Sequence, residues 1–337
     1  MTPCASRSVR QGDLAEAAWC VRVEATREGN LGGEQLCRED LAVPVQPAAA
    51  VGLVALDVDG TVLTPEGGIA PSTVAAVAAA RDGGVRAVLA SSRGPVALSR
   101  IQDGLGLRDE WFIGYQGALV ARWTGRQLEV LSETTLDRAA ARDVETRALA
   151  AGLSVGRYIG LRWRVPQLTD SIRHEASLTG EEPIVSTPEE SDDDAAPHKL
   201  MVMAAGDAQI AALAQLAGTL PGSVTATLSH PANLEITAAG VDKASGIAPL
   251  AARLGIPAEE TAAIGDGPND LGLFAAVAHP VAMGQATAEV QAAARWVTSS
   301  NTGDGVARAL THLGLVREDA WASLAGQGSI SSTSVKR

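Results

Sequence analysis

Two short acidic clusters hold most of the chemistry available to this chain. The first is Asp57-Val58-Asp59-Gly60-Thr61, and the second is Gly265-Asp266-Gly267-Pro268-Asn269-Asp270. On an extended strand, the two-residue period points Asp57 and Asp59 to the same side. Gly60 then lets the chain turn tightly toward a reacting group. Carboxylates gathered from two distant stretches make a site for a hard cation. Mg2+ suits it, because that ion takes oxygen ligands in octahedral geometry and keeps several waters. Between the clusters lies Lys243, one of three lysines with Lys199 and Lys336, in a chain whose positive charge is mostly arginine. Either cluster alone fits an ordinary strand-to-loop turn, where Asp and Gly are common. Both together, with a lysine between, do not.

An open parallel sheet would position these groups. The apolar run VGLVALDVDG begins at Val51 and ends on the first cluster. Its length and β-branched content predict a strand buried on both faces. Pro71–Arg81 predicts a helix, with proline in its first turn and Gly83-Gly84 behind it. Val85–Ala90 reads as a second strand, Pro95–Leu105 as a second helix and Trp111–Tyr115 as a third strand. This alternation predicts a doubly wound α/β domain, in which ligands sit outside the carboxyl ends of the strands. The second cluster follows a strand over Thr261–Ile264 and so reaches the same edge. Ser91, just past the second strand, would reach it too.

The pattern changes after Gly117. A hairpin over Ala118–Arg122 and Gln127–Leu131, a helix near 135–152 and several short strand-like pieces predict an inserted α+β domain. The expected organisation is a core over 49–117 and 236–318, an insertion over 118–235, a disordered extension over 1–48 and a frayed tail over 319–337. The acidic run Glu189–Asp194 reads as a solvated loop.

Composition narrows the partners. The formal net charge is -12 and the pI about 4.9, which argues against a nucleic-acid backbone. A small anionic substrate remains compatible, because a metal and one lysine can reverse the field inside a pocket. The three cysteines, Cys4, Cys20 and Cys37, match no zinc spacing and cannot cross-link the body of the chain. A reducing, cytoplasmic setting is the expectation. No apolar run is long enough for a membrane span, and the oligomeric state is left open.

Four motifs in order give a resemblance: DVDGT at 57–61, the strand-end Ser91 in VLASSR, Lys243 in VDKASGI and GDGPND at 265–270. Together with VAMGQA at 281–286 and SSNTGDGVA at 299–307, the chain resembles the haloacid dehalogenase-like (HAD) hydrolases. Within them it looks like the Cof-type phosphatases with a type IIB cap, over about Val51 to Leu313. The resemblance implies a HAD-like, doubly wound, mostly parallel sheet core with an inserted α+β cap domain. It also implies a Mg2+-dependent phosphomonoester hydrolase acting on a small phosphorylated metabolite, with sugar phosphates the leading class. Asp57 would attack phosphorus, and Asp59 would serve as acid and then base. Ser91, Lys243 and Asn269 would hold phosphoryl oxygens. Asp57, Asp266 and the backbone carbonyl of Asp59 would bind the metal, with Asp270 behind them. The chemistry is consistent: a carboxylate repels a phosphate dianion until cations neutralise it, and a cap excludes water from those charges.

Three departures from the family pattern are visible: Ser92 in place of glycine, Gln116 where relatives carry Asn, and Gln285 for a common Asn. None of them is expected to touch the phosphoryl centre. Arg93, Arg162 and Arg164 are candidate contacts to substrate. The five histidines show no zinc-like pairing. A phosphomutase would share the first motif, and a binding protein that lost turnover would share the fold. A dinucleotide-binding Rossmann protein fits poorly, because Asp57 and Asp59 stand where phosphate-binding glycines would be.

Overall fold

Leu53–Leu56, the apolar run leading to the first acidic cluster, is strand β1 of the computed structural model, with all four residues fully buried. The structure describes residues 50–186 and 195–328 and the backbone of 330–331. The expected extension over 1–48 and the acidic run Glu189–Asp194 fall outside the described residues. After β1 come β2 (Gly68–Ile69), α1 (Pro71–Asp82), β3 (Arg86–Ala90), α2 (Pro95–Leu105), β4 (Trp111–Gly114), β5 (Leu119–Thr124) and β6 (Gln127–Glu133). The middle of the chain forms α3 (Arg138–Ala150), β7 (Ser154–Ile159), β8 (Arg162–Val165), α4 (Asp170–Thr179), β9 (Ile184–Val185), β10 (Lys199–Met203), α5 (Asp207–Ala217), β11 (Val224–His230) and β12 (Asn233–Ala238). The rest is α6 (Lys243–Leu254), β13 (Thr261–Gly265), α7 (Leu271–Ala276), β14 (His279–Ala282), α8 (Ala288–Ala293), β15 (Trp296–Val297), α9 (Gly305–His312) and β16 (Ile330–Ser331).

The first sheet runs β15-β14-β13-β1-β3-β4-β5-β6. It is parallel from β15 to β4 and antiparallel at β5 and β6. Alternate residues of β1 enter opposite cores. Val54 and Leu56 join one cluster with Val77 of α1 and Leu98 of α2, while Leu53 and Ala55 join another with Leu250 of α6 and Leu273 of α7. Burial on both faces is why this strand is apolar throughout, and each fully buried Leu or Val contributes about 1.5–3 kcal/mol. Proline opens both α1 and α2, where its missing N–H costs nothing. Gly106 closes α2 in the left-handed conformation.

The second sheet runs β11-β12-β10-β7-β8-β9 and is antiparallel except for the β8–β9 pair. Leu200 and Val202 of β10 pack with Val144 of α3 and Leu213 of α5. Met201 and Met203 point to the other face, which lines a cavity.

Two boundaries differ from the sequence expectation. The hairpin β5–β6 extends the first sheet, so the insertion begins near Thr134 rather than at 118 and returns after Ala238. Alternation identifies a hairpin but not the sheet it joins. The segment from 319 is ordered rather than frayed as far as its buried Trp321. Its indole N–H donates to the Thr311 hydroxyl at 2.9 Å, and the Arg308 guanidinium lies 5.7 Å from its ring. Among the described residues, no helix is long and apolar enough to cross a membrane.

Candidate active site

Strands β1 and β13 are parallel neighbours, so their carboxyl ends meet. The Asp57 amide donates to the Ile264 carbonyl at 2.9 Å, which fixes the first cluster beside the second. Lys243 opens α6 and is completely buried. Its ammonium donates to one oxygen of Asp57 and one of Asp270, both at 2.6 Å. The second Asp270 oxygen accepts the backbone amides of Asp266 and Gly267 at 3.0 Å each. Asp270 is therefore fully engaged, and it shapes the loop that presents Asp266.

Carboxylate oxygens of Asp57, Asp266 and Asp270 lie within 4.8 Å of one another. Burial, and then the Asp270 charge, holds the Asp57 carboxyl well above the usual range. Burial and Asp270 likewise raise Asp266. Burial alone would lower the Lys243 ammonium, but Asp270 and Asp57 outweigh it and hold it above its usual value. Three carboxylates against one ammonium leave two negative charges, and the donors are all oxygen. The group therefore fits a divalent hard cation.

Gly60 is required by its surroundings: its φ is +82°, and a Cβ there would overlap the Asp266 carboxylate. Just before this turn Asp59 stands half exposed at the cavity, 54% by side chain. Arg93 holds both its oxygens, at 2.9 Å from Nε and 2.6 Å from Nη2. Arg93 also donates to the Leu178 carbonyl of α4 at 3.4 Å, so one guanidinium links the two sheets' domains. Ser91 is buried, and its hydroxyl accepts the Arg93 amide at 3.1 Å.

A cavity of about 530 Å³ opens over these groups. Of the residues expected from sequence, Asp57, Asp59, Ser91, Arg93, Asp266 and Asn269 line it, while Lys243 and Asp270 lie buried behind. Arg162 and Arg164 do not line it. Arg162 borders a separate cavity beside His198, and Arg164 donates to the Ser186 hydroxyl at 3.2 Å, so their expected role as substrate contacts is not supported. Gln285 does touch the centre, contrary to expectation: its amide donates to the Gly60 carbonyl at 2.6 Å and to Asp266 at 3.3 Å. Sequence reasoning also missed Glu175, His230 and Glu235 on the cavity wall. The signal for Glu175 was faint. Thr169 caps α4 and Gly180 ends it, but only Ile172 and Thr179 are buried along its length.

The profile of the haloacid dehalogenase-like hydrolases matches residues 54–310. A candidate phosphatase of Streptococcus pyogenes serotype M6, M6_Spy0533, is 30% identical over 264 residues, covering 77% of this chain and 97% of that protein. A haloacid dehalogenase-like hydrolase from Bacteroides thetaiotaomicron superposes with a TM-score of 0.69 at 26% identity, covering 78% of this chain and 99% of that one. The subclass IIB sugar phosphatase BT4131 superposes with a TM-score of 0.70 over 79% of this chain and 100% of its own. At 24% identity it shows a shared fold alone.

Proposed function

Because the chain belongs to the haloacid dehalogenase-like hydrolases and is a phosphatase, we propose that it hydrolyses a small phosphorylated metabolite through an aspartyl-phosphate on Asp57. Sugar phosphates are the first class to test, the cap is of the Cof type, and the reaction belongs in the cytoplasm. The observation that carries this reading is the buried Lys243 ammonium on one oxygen of Asp57 at 2.6 Å. That contact orients the carboxylate and leaves its other oxygen for attack.

The Asp57 oxygen attacks phosphorus while the ester P–O bond breaks, and Asp59 gives its proton to the leaving oxygen. Asp59 then takes a proton from water as that water attacks phosphorus. The bond to Asp57 breaks and inorganic phosphate leaves. Arg93 has to give up at least one Asp59 oxygen before this cycle starts, and its freed guanidinium then faces the substrate. Ser91 and Asn269 hold phosphoryl oxygens from the cavity wall, and Lys243, buried behind them, reaches the phosphoryl group with the one ammonium donor that Asp57 and Asp270 leave. Mg2+ fits Asp57, Asp266 and the Asp59 carbonyl, with Asp270 behind, and would supply the charge neutralisation that a carboxylate attacking a dianion needs.

Phosphate release from a panel of esters, with Mg2+ and after chelation, tests the reading. Asp57→Asn is expected to abolish release and covalent labelling. A phosphoryl label mapped by mass to Asp59, or full turnover by Asp57→Asn, would refute it.

A further inference from the structure

The cavity wall contributed by the inserted domain has an uneven charge. Glu175 and Glu235 line it, and no lysine or arginine of that domain does. Lys199 lies just beneath, buried, where it donates to Glu235 at 3.2 Å and to the Ser92 carbonyl at 2.8 Å and sits 4.6 Å from the Tyr158 ring. Glu235 is therefore neutralised. Glu175 is not: its carboxylate makes no hydrogen bond or ion pair with another described residue. The cations that face it are already committed, Lys199 to Glu235 and Arg93 to Asp59. Burial holds the Glu175 carboxyl above its usual range despite those two cations. Two imidazoles share the wall: His174, and His230, whose Nδ1 accepts the Ala232 amide at 3.2 Å.

A half-buried carboxylate without a partner is incompletely compensated, and here it faces the space that the leaving group of a bound ester would fill. A hydroxyl would satisfy one of its lone pairs. An ammonium would satisfy one and cancel the charge as well. Resting on the phosphatase reading above, we propose that the natural substrate is a phosphomonoester whose alcohol carries a protonated amine, and that Glu175 is its specificity-determining partner. Phosphorylated amino-sugars and amino-alcohols fit this wall. Esters with a second phosphate or a carboxylate against this wall meet the Glu175 charge and are disfavoured.

The test compares kcat/KM of the full chain with Mg2+ at pH 7. The probes are glucosamine 6-phosphate and 2-aminoethyl phosphate, their hydroxyl counterparts glucose 6-phosphate and 2-hydroxyethyl phosphate, and 6-phosphogluconate, with p-nitrophenyl phosphate as a reporter of chemistry. At least one amine is expected to exceed its hydroxyl counterpart by about tenfold, equivalent to ~1.4 kcal/mol, with 6-phosphogluconate the poorest. Glu175→Gln is expected to bring that ratio to near one, and Glu175→Lys to reverse the order in favour of 6-phosphogluconate. Each ratio comes from one enzyme sample, so partial unfolding cancels. Turnover of p-nitrophenyl phosphate with no amine preference, or a preference that Glu175→Gln leaves intact, would overturn the inference alone. Absence of turnover on every ester would overturn the phosphatase reading and this inference with it.

Discussion

Lys243→Met isolates what the buried ammonium does. The substitution keeps much of the stem volume but leaves Asp57 and Asp270 without the donor each holds at 2.6 Å. Removing one partner of a buried ionic group costs about 3–5 kcal/mol, because charge is left uncompensated. A chain of this size, with about 2.1 cal/mol/K of unfolding entropy per residue, loses roughly 1.5 °C in melting temperature per kcal/mol. The expected fall is therefore about 6 °C at neutral pH with divalent cations chelated. The pH dependence gives a second check. Burial and Asp270 already raise Asp57, and Lys243 is the group that opposes them. Without it the folded-state value rises further, so the folded variant binds protons that the unfolded chain does not. Stability linked to a raised carboxyl is present at low pH and lost as pH rises through its folded value. The deficit of Lys243→Met is thus largest near neutrality and shrinks on acidification. Melting curves from pH 8 to pH 5 check this. A deficit under about 1 kcal/mol at pH 7.5, or one that grows on acidification, would refute the reasoning.

Three further outcomes are expected. Asp59→Asn should lose about 10²- to 10⁴-fold in kcat/KM on alkyl phosphates and much less on p-nitrophenyl phosphate, whose leaving group needs no proton; kcat/KM reports the first transfer and not the shared hydrolysis of the aspartyl-phosphate, so equal losses in it would remove Asp59 from protonating the leaving group. Gly117→Ala should destabilise by more than ~2 kcal/mol in urea titrations, since Gly117 has φ +96° and a Cβ there would overlap the Asp242 carbonyl; a change below ~1 kcal/mol would show that the loop relaxes. His198 is held below its usual pKa by burial, against the opposing pull of Glu133, so its stabilising share is complete above about pH 6.5 and fades as pH falls. His198→Gln should accordingly lose less stability than the parent between pH 7 and pH 5, and identical slopes would assign the acid sensitivity elsewhere.

Much of the first sheet was legible because its strands are buried on both faces. A run such as Leu53–Leu56 has one interpretation once Pro71 and Gly83-Gly84 punctuate the helix that follows. The acidic clusters were legible for a similar reason, since parallel neighbours place their strand ends together. The inserted domain was harder. Its outer strands β9 and β11 are largely exposed, and alternation in β8 leaves open which side chains reach a cavity. Trp163 takes the buried place there, while Arg162 and Arg164 stay clear of the Asp57 cavity. Helix α4 escaped notice because few of its residues are buried, and Glu175 was lost with it. The contact of Gln285 with Asp266 spans 19 positions and has no local signature.

The joint between the inserted domain and α6 is short. Residues 239–242 alone separate β12 from Lys243. Its last residue is doubly fastened: the Asp242 side chain caps α6 through the Ser245 amide at 3.1 Å, and its carbonyl sits against Gly117. This fastening ties the start of α6, and with it Lys243, to the loop after β4 in the first sheet's domain. Descendants of this chain are thus free to exchange the wall that selects a leaving group while inheriting the phosphoryl chemistry intact, so that new substrates can be acquired without relearning catalysis.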